Sequence, residues 1–162
     1  VSGRIILGID PGLHGALAFL TRNVGVEVLD MPTFLLGKKT ALDEHALSRI
    51  IDARAREIDF AFLEQQWARP TDGGPQGFKL GVNYGLLRML LASNFIPYAT
   101  VTPAAWKRFM KLSGDKDCSR SLASQLLPKD AHQWARKKDD GRAEAALIAL
   151  YGQQHPIVAE AA

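Results

Sequence analysis

Four acidic residues occupy positions that solvation does not explain. Asp10 closes the apolar run 4–10 just before Pro11-Gly12, and Glu64 closes a second apolar run over 60–63. Asp140 and Glu144 are four residues apart near the C-terminus. On a helix that spacing puts them about 40° from each other, on one face. Asp139 lies about 140° from Glu144 on the same wheel, which makes it the weaker partner. Glu144 sits inside the run 143–150, Ala-Glu-Ala-Ala-Leu-Ile-Ala-Leu, which must pack closely against a core. A carboxylate there costs several kcal/mol unless it is paired or holds a metal. Clustered carboxylates repel one another and call for cations, and an oxygen-only set suits Mg²⁺ or Mn²⁺. Singly, each acid also has an ordinary reading: Asp10 as a turn residue, Asp140 as a helix cap, Glu144 as a partner of Arg142 or Lys138.

The elements that must position these acids read as α/β. Apolar runs at 4–10, 16–20 and 24–29, joined by short connections, form a meander of three strands. Thr40-Ala41-Leu42-Asp43 reads as the capping-box start of a helix with Leu42, Ala46, Leu47, Ile50, Ile51 and Ile58 near one face. The run 60–63 lacks alternation, as strands covered on both sides do. Residues 65–83, with four Gly and two Pro, read as the longest loop. A nearly all-apolar helix follows at 84–93, then a strand at 98–101 and a basic helix opened by Pro103. Helices at 119–127 and 140–151, the last stopped by Gly152, complete the pattern. The expected architecture is one domain over 1–162: a mixed five-stranded sheet, antiparallel in its first three strands and parallel later, flanked by helices, with a frayed tail at 159–162.

Composition narrows the function. A chain of 162 residues with 47% hydrophobic and 23% charged residues excludes disorder, collagen and coiled coil as whole-chain readings. No apolar run approaches the roughly 20 residues of a membrane span, so a cytoplasmic protein is expected. One cysteine, Cys118, excludes a disulfide framework and a multi-cysteine zinc site. The four histidines form no metal-ligand spacing, although His14 follows the Asp-Pro-Gly turn. Charge is uneven: residues 103–138 hold nine Lys and Arg against three Asp, whereas the remainder carries 11 basic and 14 acidic residues. A basic segment on a mildly acidic body is the footprint of a polyanion-binding face.

Four segments, in order, carry a resemblance. Ile6-Leu7-Gly8-Ile9-Asp10-Pro11-Gly12, Phe62-Leu63-Glu64-Gln65, Val101-Thr102-Pro103-Ala104-Ala105-Trp106-Lys107 and Lys137-Lys138-Asp139-Asp140-Gly141-Arg142-Ala143-Glu144-Ala145 together resemble the RuvC-like Holliday junction resolvases of the ribonuclease H-like superfamily. The likeness spans about residues 4–152. It implies a ribonuclease H-like fold and two divalent ions, Mg²⁺ or Mn²⁺, held by Asp10, Glu64, Asp140 and Glu144. It also implies Lys107 and Lys116 beside the site. The implied activity is a structure-selective DNA endonuclease, bacterial or phage-encoded, that cuts four-way junctions to leave 5′-phosphate and 3′-hydroxyl ends. Two departures stand out: the last acid is Glu where the best-known bacterial members have Asp, and the helix pair is spaced by four rather than three. Both Asp139 and Asp140 therefore remain open as ligands.

Further expectations concern DNA. Lys107 and Lys111 share a helix face with Arg108 beside them, and Arg120 adds a bidentate fork; these suit phosphates. Trp67 and Phe78, with Arg69 and Lys79 adjacent, suit stacking on bases unpaired at a branch, and the resemblance implies that role for Phe78. Trp67 is as readily a cover for the sheet. A junction has near two-fold symmetry and needs two matched cuts, so a homodimer is expected, with the helix 84–93 either at the interface or buried in the monomer. The competing readings are another ribonuclease H-like nuclease acting on flaps, hybrids or branched DNA, and a non-catalytic junction-binding protein.

Overall fold

A computed structural model describes residues 4–112 and 117–155. Five strands form one sheet in the order β3-β2-β1-β6-β7. Strands β1 (Ile5–Asp10), β2 (Ala16–Thr21) and β3 (Gly25–Asp30) make the expected antiparallel meander. Strands β6 (Ile58–Glu64) and β7 (Tyr98–Val101) add in parallel beside β1. β1 is thus central, and its alternation divides the core. Leu7 and Ile9 face a layer that includes Leu47, Ile51, Leu87 and Leu91, contributed by α1 (Glu44–Asp52) and α2 (Gly73–Ser93). Ile6 faces the other layer, built on α5 (Asp140–Gln154) with Trp106 of α3 (Pro103–Phe109) and Ala123 of α4 (Asp117–Leu126).

Helix α5 lies directly on β1 because both surfaces are stripped of side chains where they meet. A Cβ on Gly8 would collide with the backbone of α5, at the Ala145 carbonyl and 2.5 Å from the Ala149 nitrogen. Gly152 does not stop the helix, contrary to the sequence reading. It is buried inside α5, where a Cβ would strike the Phe62 ring and lie 3.0 Å from Ile6 Cγ2. The glycine serves close approach rather than termination, and the helix runs on to Gln154.

Two further expectations are corrected. Thr40 does not begin a helix: it belongs to an exposed hairpin, β4 (Thr33–Leu36) and β5 (Lys39–Leu42), that forms a separate two-stranded sheet. Gly37, at φ +65°, makes the tight turn possible. The cap of α1 is Asp43, whose Oδ1 accepts from Ala46 N at 2.8 Å. The supposed loop 65–83 is helical from Gly73, so that α2 has 21 residues and the loop shrinks to 65–72. Pro75 falls in the first turn, where its missing N–H is no loss, and the glycines after it lower helix propensity without forbidding the helix. Short 3-10 segments at Pro128–Trp134 and Lys137–Asp139, not anticipated, carry the chain into α5.

Candidate active site

Parallel pairing of β1 with β6 sets Ile9 opposite Leu63. Asp10 and Glu64, each one residue further on, therefore leave the same end of adjacent strands, the edge where ligands bind in open α/β sheets. Asp10 is held close by three glycines. Its Oδ1 accepts from Gly12 N at 3.2 Å. A Cβ on Gly15 would lie 2.8 Å from its Cγ, and one on Gly141 would lie 3.2 Å from its Oδ2. The first turn of α5 is thereby seated against the Asp10 carboxyl.

Glu144 joins this pair from α5. Lys107 Nζ of α3 forms an ion pair with Glu144 Oε1 at 2.9 Å, and Ser119 Oγ of α4 donates to the same oxygen at 3.2 Å. Trp106, fully buried, donates its Nε1–H to Glu64 Oε2 at 2.6 Å. The electrostatics follow. Burial, reinforced by the Glu64 and Glu144 charges, pushes the Asp10 carboxyl up to about 7, with the Gly12 N–H and Lys107 opposing. Burial also raises Glu64, as does Glu144, against the Trp106 hydrogen bond and Lys107. Three acids thus share one field in which Lys107 is the lysine among the described residues.

Asp140 stands one turn before Glu144, with its Oδ1 accepting from Arg120 Nε at 2.8 Å. Arg120 also pairs with Asp117 at 2.5 Å, so the guanidinium read as a phosphate fork is engaged within the protein. Asp139 is 5% exposed and saturated by Arg136, which donates through its backbone N and Nε at 3.0 Å and through a terminal nitrogen at 2.9 Å. These bonds hold its carboxyl below the usual range. Of the two, Asp140 is the acid on the Glu144 side of the helix. Arg142 pairs with Asp30 at 2.6 Å instead of with Glu144.

Among the described residues, no group of three or more Asp, Glu, His or Cys side chains stands in ion-holding geometry; Glu144 and Asp140 are instead paired with Lys107 and Arg120. The chemistry of the donor set nevertheless fits a hard divalent cation. All the donors are carboxylate oxygens, and a dication would relieve the cost of ionising Asp10 beside Glu64 and Glu144.

Of the expected DNA-facing residues, Lys107 and Arg120 contact acids of the site. Trp67 is 58% exposed on the loop 65–72 and does not cover the sheet. Phe78, 74% exposed, stands on α2 rather than on a loop; Arg69, Lys79 and Arg108 are exposed as well. Lys111 does not share the Lys107 face, because α3 ends at Phe109 and Lys111 adopts φ 55°. Lys116 lies outside the described residues. His14 is exposed, and Cys118 is half-buried. Trp106 and Ser119 escaped the sequence reading. Trp106 follows the Thr102-Pro103 helix start by one turn and was legible as a residue facing the sheet; nothing in the sequence marked Ser119.

No protein-family model matches the sequence, and no curated protein is significantly similar to it. Solved structures are similar. Thermus thermophilus RuvC in complex with a Holliday junction substrate aligns at a TM-score of 0.58 and 18% identity over 97% of this chain and 95% of that one. A second Thermus thermophilus RuvC structure gives 0.56 and 15% over 93% of this chain and 95% of the other. The yeast mitochondrial Holliday junction resolvase gives 0.58 and 17%, covering 93% of this chain and 77% of its own. With acids at the ends of β1 and β6 and on a C-terminal helix laid across β1, the chain has the ribonuclease H-like fold of the RuvC-type resolvases.

Proposed function

We propose that the protein is a structure-selective DNA endonuclease that resolves four-way junctions by divalent-metal-dependent phosphodiester hydrolysis, leaving 5′-phosphate and 3′-hydroxyl ends. The observation that carries the reading is the gathering of Asp10 and Glu64, from adjacent strand ends, with Glu144, from a distant helix, so that burial and neighbouring charge raise the Asp10 and Glu64 carboxyls. Structural stability gains nothing from such a set, whereas cation binding does.

Asp10, Glu64, Glu144 and Asp140 are the residues to hold two ions, Mg²⁺ or Mn²⁺. Bound there, the ions supply an activated water and stabilisation of the leaving 3′ oxygen. The protein's own groups prepare that chemistry. Trp106 orients Glu64 through its 2.6 Å bond. Lys107, paired with Glu144 at 2.9 Å, would be freed to contact the scissile phosphate once a dication takes over that carboxylate. Trp67 and Phe78 offer exposed rings for stacking on bases at the branch, and Arg69, Lys79, Arg108 and Lys111 offer charge to phosphates, with Lys116 as a further contact.

A homodimer supplies the second cut. Helix α2, beyond Phe78, carries exposed Val82 and Met89 beside Gly81 and Gly85, which have open space around them. That face fits the partner's α2. The test is incubation with a synthetic four-way junction and Mg²⁺ or Mn²⁺, followed by strand mapping, alongside flaps, RNA–DNA hybrids and linear duplex. Paired symmetric nicks at the branch are expected. Equal cutting of the other substrates would make it a less selective nuclease, and binding without cleavage in either metal would make it a junction-binding protein.

A further inference from the structure

Beside the carboxylate cluster, across the first turn of α5, lies a cleft of about 350 Å³. Its wall is shared with the site: His14 and Gly15 line it, both abut Gly141, and Gly15 abuts Asp10. The lining also includes Thr33, at the root of the β4–β5 hairpin, and Arg136 and Lys138 around the 3-10 turn that leads into α5.

The charges in this cleft are unequally occupied. Its two carboxylates are neutralised within the protein, Asp139 by Arg136 and Asp30 by Arg142. Lys138 makes no ion pair among the described residues, and His14 is likewise unpaired and exposed. The surplus cation is Lys138, it is accompanied by the His14 ring and the exposed Thr33 hydroxyl as hydrogen-bonding groups, and it opens beside Gly15, which abuts Asp10. An anion is the ligand such a lining favours, and a polyanion threading the active site presents one on either side of the reacting phosphate.

We propose that this cleft, through Lys138, His14 and Thr33, seats a backbone phosphate of the cleaved DNA strand adjacent to the one held at Asp10 and Glu64, and so sets the strand's register in the site. The proposal rests on the nuclease reading above. It assigns the cleft a positioning role and makes no use of the metal ions.

The test is binding of the full chain to a fluorescent four-way junction in EDTA, where cleavage is silent. The paired substitution His14→Ala with Lys138→Gln is expected to weaken binding about tenfold and to lower the slope of log K against log salt by about 0.9, the signature of one phosphate contact. Lys137→Gln, an exposed neighbour outside the cleft, is expected to cost less than about twofold. Replacing the phosphates on either side of the cut, one at a time, by neutral methylphosphonates checks the same contact in the unaltered protein. One position is expected to weaken the wild type equally and to leave the double variant unaffected. Unchanged affinity and slope in the double variant, or an equal loss in Lys137→Gln, overturns the proposal. A loss that no methylphosphonate position reproduces also overturns it, assigning the cleft to free anions. A wild type that binds no branched DNA at all instead removes the nuclease reading itself.

Discussion

At the scale of single residues, the Asp10 carboxyl has the most consequences. With its pKa raised from about 3.8 to about 7, the folded state binds a proton that the unfolded chain has released. Ionisation of Asp10 therefore costs stability, beginning above the unfolded pKa and complete above about 7. Asp10→Asn, which keeps the acceptor for Gly12 N, should abolish cleavage while leaving junction binding intact. Without divalent ions it should also melt higher than the wild type at pH 8, by up to a few kcal/mol, with no gain at pH 3.5. Scans at the two pH values check this, and no pH-dependent gain would mean that Asp10 ionises freely. By the same logic, divalent affinity should climb with pH through about 7, which calorimetric titration can follow. Trp106→Phe removes the donor to Glu64 and is expected to raise the Glu64 pKa further. The acid limb of the cleavage pH profile should move to higher pH, at a stability cost of about 1–3 kcal/mol for the lost bond.

At the scale of elements, the site depends on how closely α5 approaches β1. Glu144 reaches the strand ends because Gly8 lets the helix backbone touch the sheet, with Gly141 and Gly152 allowing the same at the two ends of α5. Gly8→Ala places a methyl against backbone atoms that have no rotamer to yield, so the whole helix must move. A loss of about 3 kcal/mol is expected in denaturant unfolding, with cleavage reduced further than stability, because Glu144 is carried away from Asp10. Wild-type stability in this variant would show that α5 is not seated as closely as the structure has it.

For the whole molecule, the decisive question is how many copies act. Gly81 on α2 is helical and exposed with nothing within 4 Å of its Cβ position, so the Cβ of Gly81→Leu meets no neighbour in its own chain and the change gains helix propensity worth up to about 1 kcal/mol. The same leucine stands in the middle of the proposed dimer face. Opposite effects are therefore expected: a chain at least as stable as the wild type by thermal melting, but monomeric by sedimentation and deficient in paired cutting. A fully dimeric variant would move the interface away from this face. No helix among the described residues is long and apolar enough to cross a membrane.

What the sequence determined by itself was everything that follows from local pattern. The strand meander, the buried strand before Glu64, the Pro103 helix start and the apolar C-terminal helix are written in hydrophobic runs and caps, and the four acids could be singled out because they interrupt those runs. Fold class followed from the order of these pieces. Tertiary structure decided what local pattern leaves degenerate. Gly152 looks like a helix stop until Phe62 is seen beneath it, and the glycines of 73–81 look like loop until the helix through them is seen. The partners of the acids also belong to this class. Trp106 lies 42 residues from Glu64, Ser119 lies 25 from Glu144, and Arg142 finds Asp30 across 112 positions. Pairings over such separations leave no periodic trace in the chain, because they are set by where whole elements dock rather than by what any one segment prefers.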